Sequence, residues 1–146
     1  MHDCKNELRS VDLKATPARL ALLSVLEETE KPLDTSMIID SLQKEGVDVD
    51  EATVFRIINL LHQKGIVKQV QLREGKFRYE HAGKAEHHHL YCEACGAIED
   101  ISDCNIQRLE KEIREKKQFL VKSHSLEFFG ICPACRRLER QRLAGR

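Results

Sequence analysis

Residues 50–80 read DEATVFRIINLLHQKGIVKQVQLREGKFRYE. The stretch changes period halfway along. Val54, Ile57, Ile58 and Leu61 recur at i, i+3, i+4 and i+7, which places them in one stripe on an α-helix. Asp50 can cap that helix and Gly65 can stop it. From Ile66 onward apolar and polar residues alternate around Glu74-Gly75, so a β-hairpin is predicted over 66–80. A helix that runs directly into a two-stranded hairpin is the second half of a winged helix-turn-helix.

The upstream chain supplies the first half. Thr16-Pro17 is a helix start, and Leu20, Leu23 and Leu26 form an apolar stripe through 17–29. DTSMIIDSLQKEG predicts a second helix, capped by Asp34 or Thr35, buried through Ile38, Ile39 and Leu42, and ended by Gly46. Three helices followed by a hairpin define a winged-helix domain over residues 1–81. AGKAEH, at 82–87, reads as a hinge. Residues 88–146 then form a smaller domain: strands near 87–91 and 97–101, a helix from about Asp103 to Lys117, a long strand QFLVKSHSLEFFGI, and a charged, frayed tail helix. The fold class is α+β.

Composition narrows the functional classes. Apolar residues are 41% of 146, enough for one large or two small cores. Charged residues are 33% and cancel to a net charge of +0, so any basic footprint for nucleic acid is local. No apolar run approaches bilayer length and no secretory leader is evident, so a cytoplasmic protein without a membrane partner is expected. In that reducing compartment the six cysteines disfavour a disulfide framework.

Four of the six form two Cys-x-x-Cys pairs: Cys92 with Cys95, and Cys132 with Cys135. Four thiolates satisfy tetrahedral Zn2+ and leave no open position, which is the pattern of a structural rather than a catalytic site. Gly96 suits the turn of the first knuckle. The competing reading is a thiol–disulfide oxidoreductase built on Cys132-Pro133-Ala134-Cys135. Such a motif normally opens a helix in a βαβ context, whereas here a chain-terminal strand is expected before it. A zinc deaminase would need His-x-Glu with Pro-Cys-x-x-Cys, and neither occurs. No catalytic site is therefore assigned, and Cys4 and Cys104 match no constellation.

EHHHLYCEACG, at 86–96, carries further metal donors. In an extended chain His87 and His89 point to one face, and Glu86 and His88 to the other. One strand can then serve two sites. His87 and His89 could be joined by Glu80 and Asp100; His88 could meet His124, with Glu86 nearby. Mixed imidazole and carboxylate donors suit several divalent metals and do not choose among them.

LKATPAR at 13–19, DEATVFRIINLL at 50–61, HHHLYCEACG at 87–96, HSLEFFGIC at 124–132 and the closing Cys-x-x-Cys occur in the order and spacing of one family. The chain resembles the ferric uptake regulator (Fur) family of metal-sensing repressors over nearly its whole length. The resemblance implies a homodimer with an N-terminal winged-helix domain and a C-terminal α/β dimerisation domain. It implies structural zinc on Cys92, Cys95, Cys132 and Cys135. It implies a regulatory divalent metal (Fe2+, Zn2+ or Mn2+) on Glu80, His87, His89 and Asp100, and a further site on His88 and His124. One branch of the family senses peroxide, which is the alternative within it. Two departures from the family pattern stand out, one at each site. Pro32 and Leu33 stand where a hinge histidine is common, with His81 a possible substitute, and Gln107 stands where a glutamate is usual.

The partner implied is a palindromic double-stranded DNA operator. On the 50–64 helix, Arg56, Asn59 and Gln63 lie opposite the apolar stripe, with Phe55 on the flank. Arg56 suits phosphate or guanine, Asn59 suits base edges, and Phe55 suits a thymine methyl. By resemblance Lys14 and Arg19 approach DNA, while Lys76 and Arg78 on the hairpin could meet phosphates.

Overall fold

Capping chemistry fixes the first three long helices. In the computed structural model, which describes residues 3–102 and 105–145, α2 (Pro17–Glu28) starts at Thr16, whose hydroxyl accepts from the Arg19 N–H at 3.3 Å. Asp34 accepts from Met37 at 2.9 Å at the start of α3 (Thr35–Lys44), and Asp50 accepts from Thr53 at 2.8 Å before α4 (Glu51–Gln63). Gly46 and Gly65, at φ 76° and 77°, take the left-handed conformation that releases the chain from α3 and α4.

Contacts divide the chain into two units, Met1–Lys84 and Ala85–Arg146. In the first, β2 (Val67–Gln71) and β3 (Phe77–His81) form the expected hairpin, with Gln69 opposite Tyr79. Two elements were not anticipated. α1 (Cys4–Ser10) is capped by Asp3 and pins Leu8 fully inside. β1 (Leu33–Asp34) pairs with β3, giving an antiparallel sheet of order β1-β3-β2. Fourteen buried residues make one cluster around α2 and α4, including Val54, Ile57, Ile58 and Leu61. On α2 the buried face is Leu22, Leu23, Val25 and Leu26, and the expected Leu20 lies at its margin.

The second unit is organised by a three-stranded sheet of order β5-β4-β6. β4 (His88–Cys92) runs antiparallel to β5 (Ile98–Ile101) and parallel to β6 (Glu127–Gly130). α5 (Ile106–Lys117) connects them, and the predicted start at Asp103, like Cys104, lies outside the described residues. The long strand expected over 118–131 is corrected to four residues. Gln118 turns left-handed after α5, and β4 offers pairing only to residues 127–130. The tail is also different: α6 (Pro133–Ala144) begins inside the second Cys-x-x-Cys, with Cys132 as its cap. Among the described residues of this unit, only Cys92 and Ile98 are buried apolar side chains, and no residue of α5 is buried.

Candidate metal centres

Strand pairing assembles the four paired cysteines. Cys92 closes β4, and its carbonyl accepts from the Gly96 N–H at 2.8 Å across a tight turn that carries Cys95. Gly96 has φ 76°, a conformation that penalises any side chain. The parallel pairing of β6 sets Gly130 opposite Cys92, which brings Cys132 and Cys135 to the same end of the sheet. All four sulfurs lie within 4.8 Å of one another. Cys95 Sγ and Cys132 Sγ are 3.8 Å apart. A tetrahedron with Zn–S of about 2.3 Å has S···S edges of about 3.8 Å, so the spacing fits the ion.

Electrostatics point the same way. The backbone N–H groups of Cys132 and Cys95 aim at Cys92 and lower its thiol to about 6, the Cys132 contact being 3.3 Å. Cys135, sharing protons with the Cys132 and Cys95 sulfurs, is pushed up to about 12. Clustered thiols hold back one another's ionisation, and a divalent cation relieves that repulsion by replacing the protons. The opening of α6 at Cys132-Pro133 is the context that an oxidoreductase motif would also have. Here, however, the partners of that pair are the two other cysteines.

The histidine run divides its donors between two groups. Before and along β4, His87 and His89 sit with their rings 4.9 Å apart and perpendicular. The register pairs His89 with Asp100, and Nε2 of His89 is 3.8 Å from that carboxylate. Glu80 belongs to the other unit: it lies on β3 opposite Lys68 and is 4% exposed. Where a hinge histidine is common, Pro32 is fully buried and its carbonyl accepts from Arg78. His81 is no substitute in this conformation. Its Nδ1 accepts from the Gly83 N–H at 2.9 Å, and its Nε2 meets Glu7 at 3.0 Å.

His88 enters a different group. Its Nδ1 faces the Leu126 carbonyl at 3.2 Å, and its ring is 5.1 Å from that of His124. Donor atoms of Glu86, His88 and His124 lie within 4.8 Å of one another. His124 Nε2 is 3.2 Å from Glu86, and its Nδ1 is 2.9 Å from Glu110. Glu110 was missed in the sequence. The available signal was its place one turn after Gln107 on α5. Gln107 itself lines a cavity of about 370 Å³ beside Glu86 and His88.

The nucleic-acid candidates lie in the first unit. Phe55, Arg56 and Asn59 are exposed on α4, opposite its buried stripe. Arg56 also reaches Thr53 Oγ1 at 3.1 Å. Lys14 is exposed, and its carbonyl accepts from the Arg19 guanidinium at 3.0 Å. Lys76 is tied to Asp34 at 2.6 Å while its side chain stays part exposed. Arg78 is a correction: it is 8% exposed and clamped by Glu74 at 2.7 and 2.8 Å, so it braces the hairpin rather than facing solvent. Cys4 donates to Glu27 at 3.3 Å, and burial raises its thiol to about 11, which disfavours the thiolate.

Residues 10–129 match the sequence profile of the Ferric uptake regulator family. The ferric uptake regulation protein of Bordetella parapertussis is 30% identical over 134 residues, 91% of this chain and 96% of that protein. The Helicobacter pylori ferric uptake regulator, whose structure reveals three functional metal-binding sites, superposes with a TM-score of 0.76 at 26% identity, covering 90% of this chain and 88% of that one. The Pseudomonas aeruginosa ferric uptake regulator with manganese gives a TM-score of 0.80 at 26% identity, covering 90% and 99%.

Proposed function

Because the chain belongs to the ferric uptake regulator family, and is therefore a transcription regulator and not an enzyme, we propose that it is a metal-dependent repressor that binds a palindromic DNA operator as a homodimer. Residues 1–81 bind DNA, 82–87 are the hinge and 88–146 dimerise; the protein works in the cytoplasm. No helix among the described residues is long and apolar enough to cross a membrane.

One observation carries this proposal. A single short strand, β4, distributes donors to a four-thiol cluster, a His87–His89 pair and a His88–His124 pair. The four thiols take structural Zn2+. His87, His89 and Asp100, with Glu80 from the DNA-binding unit, take the regulatory divalent cation: Fe2+, Zn2+ or Mn2+. The DNA face is α4, where Phe55, Arg56 and Asn59 stand clear of the core, with Lys14, Arg19 and Lys76 as backbone contacts. Dimerisation is supported by what the second unit leaves uncovered: Leu109, Phe119, Leu120 and Phe128 are all exposed, and a dimer contact would cover such side chains.

Metal bridging Glu80 to the histidines restricts the angle between the units. In a dimer that sets the spacing of two α4 helices to successive major grooves. Without metal, many angles are populated and few fit the operator. Fluorescence anisotropy with a labelled palindromic duplex, at constant salt, tests this. Affinity should rise at least tenfold on saturating the regulatory site. Affinity unchanged by metal would refute metal dependence.

A further inference from the structure

The group around His88 and His124 contains a residue that no donor list from the sequence included. A carbonyl only accepts, so the Leu126 contact requires the proton of His88 to be on Nδ1. Its Nε2 is then a lone pair. That atom is buried, in a residue 6% exposed, and has no hydrogen-bond partner among the described residues. Burying an acceptor without a partner is unfavourable, and His88 offers a donor atom within 4.8 Å of those of Glu86 and His124. His124 repeats the pattern. Its Nδ1 meets the Glu110 carboxylate at 2.9 Å, which also places the proton on Nδ1. Its Nε2 lies 3.2 Å from a Glu86 oxygen. Between two carboxylates the ring can carry a proton on each nitrogen, and a cation bound there takes the place of the proton on Nε2.

We propose that Glu110 is the positioning carboxylate of a divalent-cation site. It holds His124 as the Nδ1–H tautomer, so that His88 and His124 present their Nε2 atoms, with Glu86, to a borderline cation such as zinc or cobalt(II). Gln107 stays outside the ligand set. The donor set of two imidazoles and one carboxylate favours such cations over magnesium or calcium. Glu110 fills the outer role that orients a ligating histidine and raises its basicity. The proposal rests on reading Glu86, His88 and His124 as a metal site, and it assigns that site's selectivity to α5 through Glu110 rather than Gln107.

The test uses the full-length, zinc-containing protein in a His89→Ala background, which silences the regulatory site proposed above. Cobalt(II) is the probe, read by its visible absorption. Glu110→Ala should weaken cobalt binding about 10–100-fold, whereas Gln107→Ala should bind as the parent does. Before cobalt is added, at a pH where His124 is neutral, the 15N shifts of His124 should report the Nδ1–H tautomer in the parent and a move toward Nε2–H in Glu110→Ala. A packing role for Glu110 would not produce that move. Unchanged affinity and tautomer in Glu110→Ala would overturn the role of Glu110, as would equal weakening by Gln107→Ala. If the double variant His88→Ala, His124→Ala keeps the full absorption, the site itself is absent and the proposal falls with it.

Discussion

Cys95→Ser separates the folding of the two units. Cys95 is exposed, so the change removes a thiolate without opening a cavity. Structural zinc contributes about 10–16 kcal/mol to a small domain. Divided over four sulfurs, that is about 3–4 kcal/mol for each, so zinc affinity should fall about 100- to 1,000-fold. The second unit has little to offset the loss. Its buried apolar side chains among the described residues are Cys92, itself a zinc ligand, and Ile98, worth about 1.5–3 kcal/mol. The first unit has its cluster of fourteen buried residues and no share in the zinc. Dialysis against a chelator should therefore strip the variant and leave the wild type loaded. Limited proteolysis of the stripped variant should digest residues beyond 84 and spare a fragment ending near Lys84. Sedimentation should show a monomer. A zinc-free Cys95→Ser protein that resists proteolysis throughout and sediments as a dimer would refute the reasoning.

Glu74→Gln should destabilise the first unit by about 3–5 kcal/mol in urea unfolding, because it strips a bidentate partner from the buried Arg78. Arg78 holds the Glu74 carboxyl below its ordinary value. Its contribution is complete at neutral pH and is lost as pH falls through that lowered value, so wild type and variant should converge only in acid. Arg56→Ala should weaken operator binding by about 1–3 kcal/mol, roughly 10–100-fold, at fixed salt. If Arg56 meets a phosphate instead of a base, the salt slope should drop by about one and sequence preference should persist.

The helices that carry tight caps and a clear apolar period were legible in the sequence. Asp50, Val54 to Leu61 and Gly65 mark α4 to within a residue or two, and the hairpin follows from its alternation. Short elements escaped because they carry too little periodicity: α1 buries one leucine, and β1 has two residues. The strand expected over 118–131 overran because β-type residues can pair only where a neighbour exists, and β4 is five residues long. Arg78 was expected to meet phosphates from the hairpin. Its burial depends on Glu74 and on the carbonyl of Pro32, the latter 46 residues away, and no local pattern encodes that contact. The two cysteine pairs were legible because their donors are adjacent in sequence. Glu110 was not, since its approach to His124 depends on how α5 returns toward β6.

Coupling between metal and DNA is the central claim, and thermodynamic reciprocity tests it most directly. The affinity of the regulatory metal should be measured with and without saturating operator duplex, at one salt concentration, in wild type and in His89→Ala. The operator should tighten metal binding by the same factor by which metal tightens operator binding, because both are one coupling free energy. In His89→Ala that factor should fall to about one while the zinc on the four cysteines is retained. Metal affinity indifferent to DNA in the wild type, or full coupling persisting in His89→Ala, would contradict the account.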